Sequence, residues 1–142
     1  MSDDCLVCRK HADADEGLRV FRDERVYVGH MPATPDAYLG HLLVEPVEHL
    51  PGLADLDVEQ AEAVGRAMRH ASATLRGTGF EHVYAFVYGD AVPHLHVHLV
   101  GRRPGTPREF WGAAITDWPG ALRGGADAVG GVVAELRATW PT

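Results

Sequence analysis

The sequence has little cysteine, more acidic than basic residues, and no long hydrophobic run. Two cysteines in 142 residues cannot crosslink a small secreted fold. With 13 Lys+Arg against 20 Asp+Glu, the net charge of −7 argues against binding bulk nucleic acid, which requires a basic surface. No apolar run approaches the length that spans a membrane, and the start is acidic where a secretion signal would be basic. We therefore expect a cytoplasmic protein that binds neither membranes nor bulk nucleic acid.

The apolar pattern predicts an α+β fold with about five strands in one antiparallel sheet. The predicted strands are rich in β-branched and aromatic residues or alternate apolar with polar positions. Because most of them follow one another closely in the chain, antiparallel pairing is favoured. The five segments are residues 20–21, 26–28, 40–45, 82–88 and 93–101.

Two helices complete the predicted fold. Asp57 is a good N-cap and Gln60 lies in the capping-box position, so a long helix is expected from there to Gly77. A C-terminal helix is expected over residues 126–139. Between them, residues 102–125 hold three of the nine prolines and two of the three tryptophans, which predicts an ordered but irregular cover.

Histidine is the abundant residue type, with nine in the chain. His94, His96 and His98 alternate with aliphatic residues, so a strand would place the three imidazoles on one face. The spacing suits a metal site built on a strand. It equally suits phosphoryl transfer, in which one imidazole is the nucleophile and its neighbours hold phosphate oxygens. A third interpretation is a polar, solvent-facing strand, and spacing alone does not separate the three.

The two cysteines are spaced Cys5-x-x-Cys8, which is half of a tetrahedral metal site. His11 continues the spacing and could complete a compact three-ligand cluster. A redox pair is a second interpretation, but such a pair normally begins a helix that follows a strand, which residues 1–6 are not expected to provide. A structural pair without metal is the third.

Two segments resemble the histidine triad, or HIT, superfamily. Residues 94–100, HLHVHLV, are similar to its signature of three histidines alternating with apolar residues, and residues 40–50, GHLLVEPVEHL, resemble the family's other histidine-bearing strand. Cys5-x-x-Cys8 is similar to the start of the family's zinc-carrying branch. The resemblance covers about residues 5–103. It implies a HIT domain core over residues 1–103, with residues 104–142 as a C-terminal extension on the same domain, and a homodimer.

The resemblance also implies an activity. Family members are nucleotide hydrolases and transferases that attack an α-phosphate with the central histidine and form a nucleotidyl-histidine intermediate. For this chain it implies a dinucleoside polyphosphate or a nucleoside phosphoramidate-like conjugate as substrate. The implied catalytic residues are His96 as nucleophile, with His98 and His41 contacting the phosphate or leaving group. The implied substrate-binding residues are Gly89, Asp90, Ala91 and His30.

A structural Zn²⁺ is implied by the same resemblance, with Cys5, Cys8, His49 and His94 as ligands. Two thiolates and two neutral imidazoles would balance the zinc charge and tie the start of the chain to the sheet.

Three residues depart from the family pattern. Ala91 stands where family hydrolases usually have a hydroxyl, Asp90 where glutamine is frequent, and His30 where an acid commonly contacts the ribose. These departures motivate an alternative function, a non-catalytic nucleotide-binding HIT domain.

Overall fold

The computed structural model describes residues 4–13 and 17–141, which form one five-stranded antiparallel sheet with helices on both faces. The strand order is β1-β2-β4-β6-β5, and two short strands, β3 and β7, pair separately. The predicted α+β class and the five-stranded antiparallel sheet are confirmed. The strands are β1 Arg19–Arg22, β2 Val26–His30, β3 Ala37–Tyr38, β4 His41–Pro46, β5 His82–Phe86, β6 Val97–Arg102 and β7 Arg123–Gly124.

β1 and β2 pair as an antiparallel hairpin. The Asp23 carboxylate accepts hydrogen bonds from the backbone N–H groups of Arg25 and Val26, both at 2.8 Å. These bonds satisfy two backbone N–H groups at the turn between β1 and β2. β2 then pairs with β4 over its whole length, from Val26 opposite Pro46 to His30 opposite Leu42.

The long helix α2, Val58–Gly77, begins at the predicted capping box. The Asp57 carboxylate accepts from Gln60 N at 2.8 Å, and Gln60 Oε1 accepts from Asp57 N at 2.9 Å. Its buried face packs on one face of the sheet. Every second side chain of the sheet points toward α2 and is covered by it. The remaining side chains point to the opposite face, which α2 does not cover. The buried residues shared by helix and sheet include Val64, Ala67, Ala71, Leu75, Val28, Leu42, Val44, Val97 and Leu99.

The C-terminal residues pack on the same core. Helix α3, Ala126–Thr139, has the predicted bounds and buries Val129, Val133 and Leu136 in the core that holds α2. The segment before it contains two short 3₁₀ helices, Arg108–Phe110 and Gly112–Asp117. In the described residues, no helix is both long and apolar enough to cross a membrane.

The structure differs from prediction at the start of β6 and in the first helix. β6 begins at Val97, four residues later than expected, because the preceding segment bonds elsewhere: Leu95 N donates to Leu50 O at 2.7 Å. The first helix was not predicted. α1, Leu6–Ala12, begins at Cys5, whose sulfur accepts from Cys8 N at 3.4 Å, so the cysteine pair does lie at a helix start.

Candidate functional site

The sheet face opposite α2 carries the site. His41, Leu43 and Glu45 alternate outward from β4, and His98 lies opposite Leu43 on β6. Beside them a cavity of about 690 Å³ opens between the sheet and α1. His96 and His98 form part of its wall. The rest of the wall is mainly apolar and includes Leu6, Val7, Leu18, Met31, Pro32, Leu43 and Val92.

The ring orientation of His96 is set by the main chain. Its Nδ1 lies 2.7 Å from the carbonyl oxygen of His94, and a carbonyl can only accept, so Nδ1 carries the proton. In the neutral ring, Nε2 therefore keeps its lone pair. Because this side chain is half-buried and lines the cavity, Nε2 is suited to attack an electrophile bound there.

His98 is paired with His41. The His41 Nε2 and His98 Nδ1 atoms lie 2.9 Å apart, so one of these nitrogens donates to the other. Burial, together with the neighbouring His98 and His30 rings, lowers the pKa of His41 to about 3. Burial next to His96 also lowers the pKa of His98. Both rings are consequently neutral near pH 7, and the pair holds a fixed orientation without carrying charge.

This pairing predicts a pH dependence. The His41 ring should stay neutral well below pH 5, whereas an unperturbed histidine titrates near pH 6.5. Long-range ¹H–¹⁵N NMR of the histidine rings measures this directly. Because the folded state binds fewer protons than the unfolded state between about pH 6.5 and 3, His41 lowers the folding stability as the pH falls through that window.

The matched variant is His41→Gln, whose amide can still donate to His98 Nδ1 but does not titrate. Its unfolding free energy should fall less steeply than that of the wild type between pH 6.5 and 4. A His41 ring that titrates near pH 6.5 contradicts the pairing.

Four ligand-type residues converge at the other end of the face. The candidate ligand atoms of Cys5, Cys8, His49 and His94 all lie within 4.8 Å of one another. His94 Nδ1 is 3.5 Å from Cys5 Sγ and 3.4 Å from Cys8 Sγ, and His49 Nδ1 is 3.4 Å from Cys8 Sγ. Zn–S bonds of 2.3 Å and Zn–N bonds of 2.0 Å at a tetrahedral angle give an N–S edge of about 3.5 Å. The donor set therefore fits a tetrahedral zinc ion.

His94 is also in the protonation state that this site requires. Its Nε2 donates to the carbonyl oxygen of Pro46 at 2.8 Å, so Nδ1, which faces the sulfurs, has a free lone pair. Burial lowers its pKa and favours the neutral ring. Among the residues described, this is the one cluster of three or more candidate ligands, and the three triad histidines do not converge on a common point. The interpretation of a metal held by all three triad histidines is therefore wrong.

His11 does not join the cysteines, although its spacing suggested that it could. It is buried, stacks on Tyr27 with ring centroids 4.5 Å apart, and places Nε2 3.0 Å from Glu45 Oε1. Lys10 Nζ lies 2.9 Å from the same carboxylate. Burial alone would raise the pKa of Glu45, but His11 and Lys10 more than offset it and lower that pKa. Glu45 thus fastens the end of α1 to β4.

Removing this carboxylate should destabilise the fold. We expect Glu45→Gln to lower the unfolding free energy at pH 7 by about 1–3 kcal/mol, because it takes the charged partner from Lys10 and His11 in a buried setting. Chemical denaturation measures the change. Glu62→Gln, an exposed position on α2, is the matched control and should be neutral. Equal stability of the two variants would contradict the role of Glu45.

The predicted substrate-binding residues separate into two groups. Gly89, Asp90 and Ala91 line the cavity next to His96 and His98, and Gly89 has a φ of +77°, which favours glycine. His30 does not reach the cavity. It is fully buried, donates from Nδ1 to Met31 O at 2.9 Å and accepts at Nε2 from Gly40 N at 3.0 Å. Its neighbour Met31 is on the cavity wall instead.

Sequence reasoning missed the cavity residues of α1 and the buried Glu45. A carboxylate inside the apolar run of β4 was the available signal for Glu45, since an unpaired buried charge is costly. α1 gave no comparable signal, because seven residues are too few to show a helical period.

Comparisons with known proteins agree with this architecture. The sequence model of the HIT domain family matches residues 15–105. A hypothetical histidine triad nucleotide-binding protein from Sulfolobus tokodaii superposes with a TM-score of 0.74 at 18% identity, over 95% of this chain and 91% of that chain. A Zn-bound histidine triad family protein from Mycobacterium smegmatis superposes with a TM-score of 0.63 at 21% identity, over 95% and 96% of the two chains.

A third structure, a Hit-like protein from Bartonella henselae, superposes with a TM-score of 0.65 at 19% identity, over 98% of each chain. At these identities the structures show the fold, and the predicted HIT-like fold is confirmed. The family match covers well over half of the chain. The chain belongs to the HIT domain family.

Proposed function

We propose that this protein is a nucleotide hydrolase or transferase that acts at an α-phosphate through a nucleotidyl intermediate on His96. The observation that carries the proposal is the 2.7 Å bond from His96 Nδ1 to the His94 carbonyl oxygen beside an apolar cavity. In the neutral ring this bond leaves the Nε2 lone pair available as the nucleophile. The apolar part of the wall suits a nucleobase, and His96 and His98 in the same wall suit the phosphate of the nucleotide. The name of the Sulfolobus tokodaii structure, a nucleotide-binding protein, supports the same ligand class.

In the first step the His96 Nε2 lone pair attacks the α-phosphorus, and the bond from phosphorus to the leaving oxygen or nitrogen breaks. The leaving group takes a proton from solvent, while His98 Nε2–H donates a hydrogen bond to it or to a phosphate oxygen. In the second step water attacks the phosphorus, the P–N bond breaks, and its electron pair returns to Nε2. One proton of the water returns to solvent and the other stays on the oxygen that becomes part of the monophosphate, so His96 is again neutral. The products are the monophosphate and the protonated leaving group.

His98 and His41 support this chemistry as a pair. If His41 Nε2–H donates to His98 Nδ1, the proton of neutral His98 lies on Nε2. That N–H group can then donate a hydrogen bond to a phosphate oxygen or to the leaving group. Two neutral rings add no charge to the ground state, and they stabilise the charge that develops at the phosphorus in the transition state. Gly89, Asp90 and Ala91 would lie along the phosphates. The substrate class is a dinucleoside polyphosphate or a nucleoside phosphoramidate-like conjugate.

Cys5, Cys8, His49 and His94 would hold a structural zinc ion, which, when bound, crosslinks α1 to the sheet. Zinc in the Mycobacterium smegmatis relative supports this assignment. With it we propose a homodimer, a cytoplasmic location, and the division into residues 1–103 as the domain core and 104–142 as an extension packed on it.

The test is a panel of substrates with the purified protein. Diadenosine and diguanosine polyphosphates and adenosine and guanosine phosphoramidates should yield the nucleoside monophosphate, measured by chromatography. Release of the second product in equal amount confirms cleavage at the α-phosphate. A protein that binds these compounds and cleaves none of them is not a hydrolase.

The alternative, a non-catalytic nucleotide-binding domain, is favoured by two cavity residues. Ala91 has no hydroxyl to offer a leaving group, and the Asp90 carboxylate repels phosphate. The variant Asp90→Gln/Ala91→Ser separates the two functions. If the wild type binds a nucleoside monophosphate but shows no turnover, and the double variant gains it, the alternative is correct for the wild type.

A further inference from the structure

One wall of the nucleotide cavity is the short helix α1. Leu6, Val7, Arg9 and Lys10 of α1 line the same cavity as His96 and His98. α1 has seven residues. Helices shorter than about 12 residues are marginal in water, so α1 depends on tertiary contacts to stay in place. The shape of the cavity therefore depends on what holds α1 against the sheet.

Polar contacts hold α1 at each end. At its start, Cys5 and Cys8 meet His49 and His94 in the tetrahedral ligand cluster. At its end, Lys10 and His11 bind the buried Glu45 carboxylate of β4. The apolar contacts between them are few: Cys5, Val7 and Cys8 form a cluster of their own, with Val92 packed against it. Most of the attachment at the start of α1 is thus the ligand cluster itself.

The ligand cluster is also connected to His96, the proposed nucleophile, through His94. His94 supplies a ring nitrogen to the cluster and, through its carbonyl oxygen, accepts the Nδ1 proton of His96. Its other ring nitrogen donates to Pro46 O at 2.8 Å. One residue is therefore fixed at three points, and it sets both the position of α1 and the tautomer of His96.

We propose that zinc at this cluster controls nucleotide affinity, by holding α1 as the cavity wall. The proposal rests on the proposed function, since it concerns the same cavity. When α1 is released, the cavity loses the side chains of Leu6 and Val7 and nucleotide binds only to the fraction of molecules in which α1 is docked. The apparent dissociation constant rises by the inverse of that fraction, so docking one tenth of the time weakens binding about tenfold. By linkage, nucleotide must tighten zinc by the same factor.

The experiment compares zinc-loaded protein with the same protein after reversible chelation, using AMP and GMP as probes in calorimetry. We expect the Kd of the nucleotide that binds to rise about tenfold on chelation and to recover when zinc is returned. Competition with a chelator, with and without that nucleotide, should show the reciprocal tightening of zinc. Hydrogen exchange should rise far more in residues 6–12 than in α2 after chelation, and α2 should stay protected, which shows that the fold survives.

The outcomes separate this inference from the proposed function. If loaded and chelated protein bind AMP or GMP equally well, the coupling is wrong while the nucleotide site stands. If neither form binds either nucleotide, the proposed function fails and the coupling with it. Should the chelated protein unfold, Arg9→Ala/Leu6→Ser in zinc-loaded protein alters the wall without touching the ligands, and unchanged nucleotide affinity in that variant overturns the role of α1.

Discussion

Replacing His96 with alanine should reduce turnover by at least about a thousandfold, because the variant lacks the atom that forms the bond to phosphorus. The fold should survive, since the neighbours Leu95 and Val97, each 1% exposed, supply the core packing of this segment. Nucleotide affinity should also survive, because the cavity wall is mainly apolar. The measurements are steady-state kinetics on the substrate found in the panel, a thermal melt, and calorimetry with the product monophosphate.

Two other histidines serve as controls because they share the segment and differ in role. His98→Gln should slow the reaction by about a hundredfold, since it removes stabilisation of charge but leaves the nucleophile. His94→Ala should lose zinc and folding stability and affect turnover less, because the His94 ring contacts both cysteines. Identical behaviour of all three variants would mean that the triad acts as one metal site, against the geometry described above.

The covalent step has a direct test. Wild-type protein mixed with α-phosphate-labelled substrate and quenched should carry label that is lost in acid and kept in base, as expected for a P–N bond to histidine. His96→Ala should carry none. Near-normal turnover by His96→Ala on the same substrate would overturn the mechanism.

The central elements were predictable because their signals are local. Alternation in residues 94–99 directs Leu95, Val97 and Leu99 into the core with α2 and leaves His96 and His98 to line the cavity. The Asp57–Gln60 capping box marks the start of α2 within one residue. In both cases, side chains within a few residues of each other carry the information. The HIT resemblance added the proposed roles of His96, His98 and His41, which the periodicity could not supply.

The remaining features depend on contacts that are distant in sequence. His30 was expected near the substrate because the HIT resemblance aligns it with an acid that commonly contacts the ribose. Its ring instead bonds through both nitrogens to the main chain of Met31 and Gly40. α1 forms where Cys5 meets His94, 89 residues away, and where Lys10 meets Glu45, 35 residues away. A sequence window of a few residues contains no information about such contacts.

Removal of zinc should lower the melting temperature by about 10 °C, which for a domain of this size corresponds to roughly 3 kcal/mol. Metal binding to thiolates and neutral imidazoles contributes to folding on the order of 10 kcal/mol in small zinc domains, but this chain has a core of its own between α2 and the sheet and depends on the metal less. Purified protein should contain one zinc ion per chain. Elemental analysis and a melt with and without chelator measure both quantities.

The ligand set itself is tested by single substitutions. Cys5→Ser/Cys8→Ser and His49→Ala should each lose zinc and melt near the temperature of the chelated wild type. His11→Gln should keep a full equivalent of zinc, because its ring faces Glu45 and not the sulfurs. If His11→Gln loses the metal while His49→Ala retains it, the ligands are the local Cys-x-x-Cys-x-x-His cluster, and the tetrahedral assignment is wrong. Protein without stoichiometric metal, whose melting chelators leave unchanged, would exclude a structural zinc altogether.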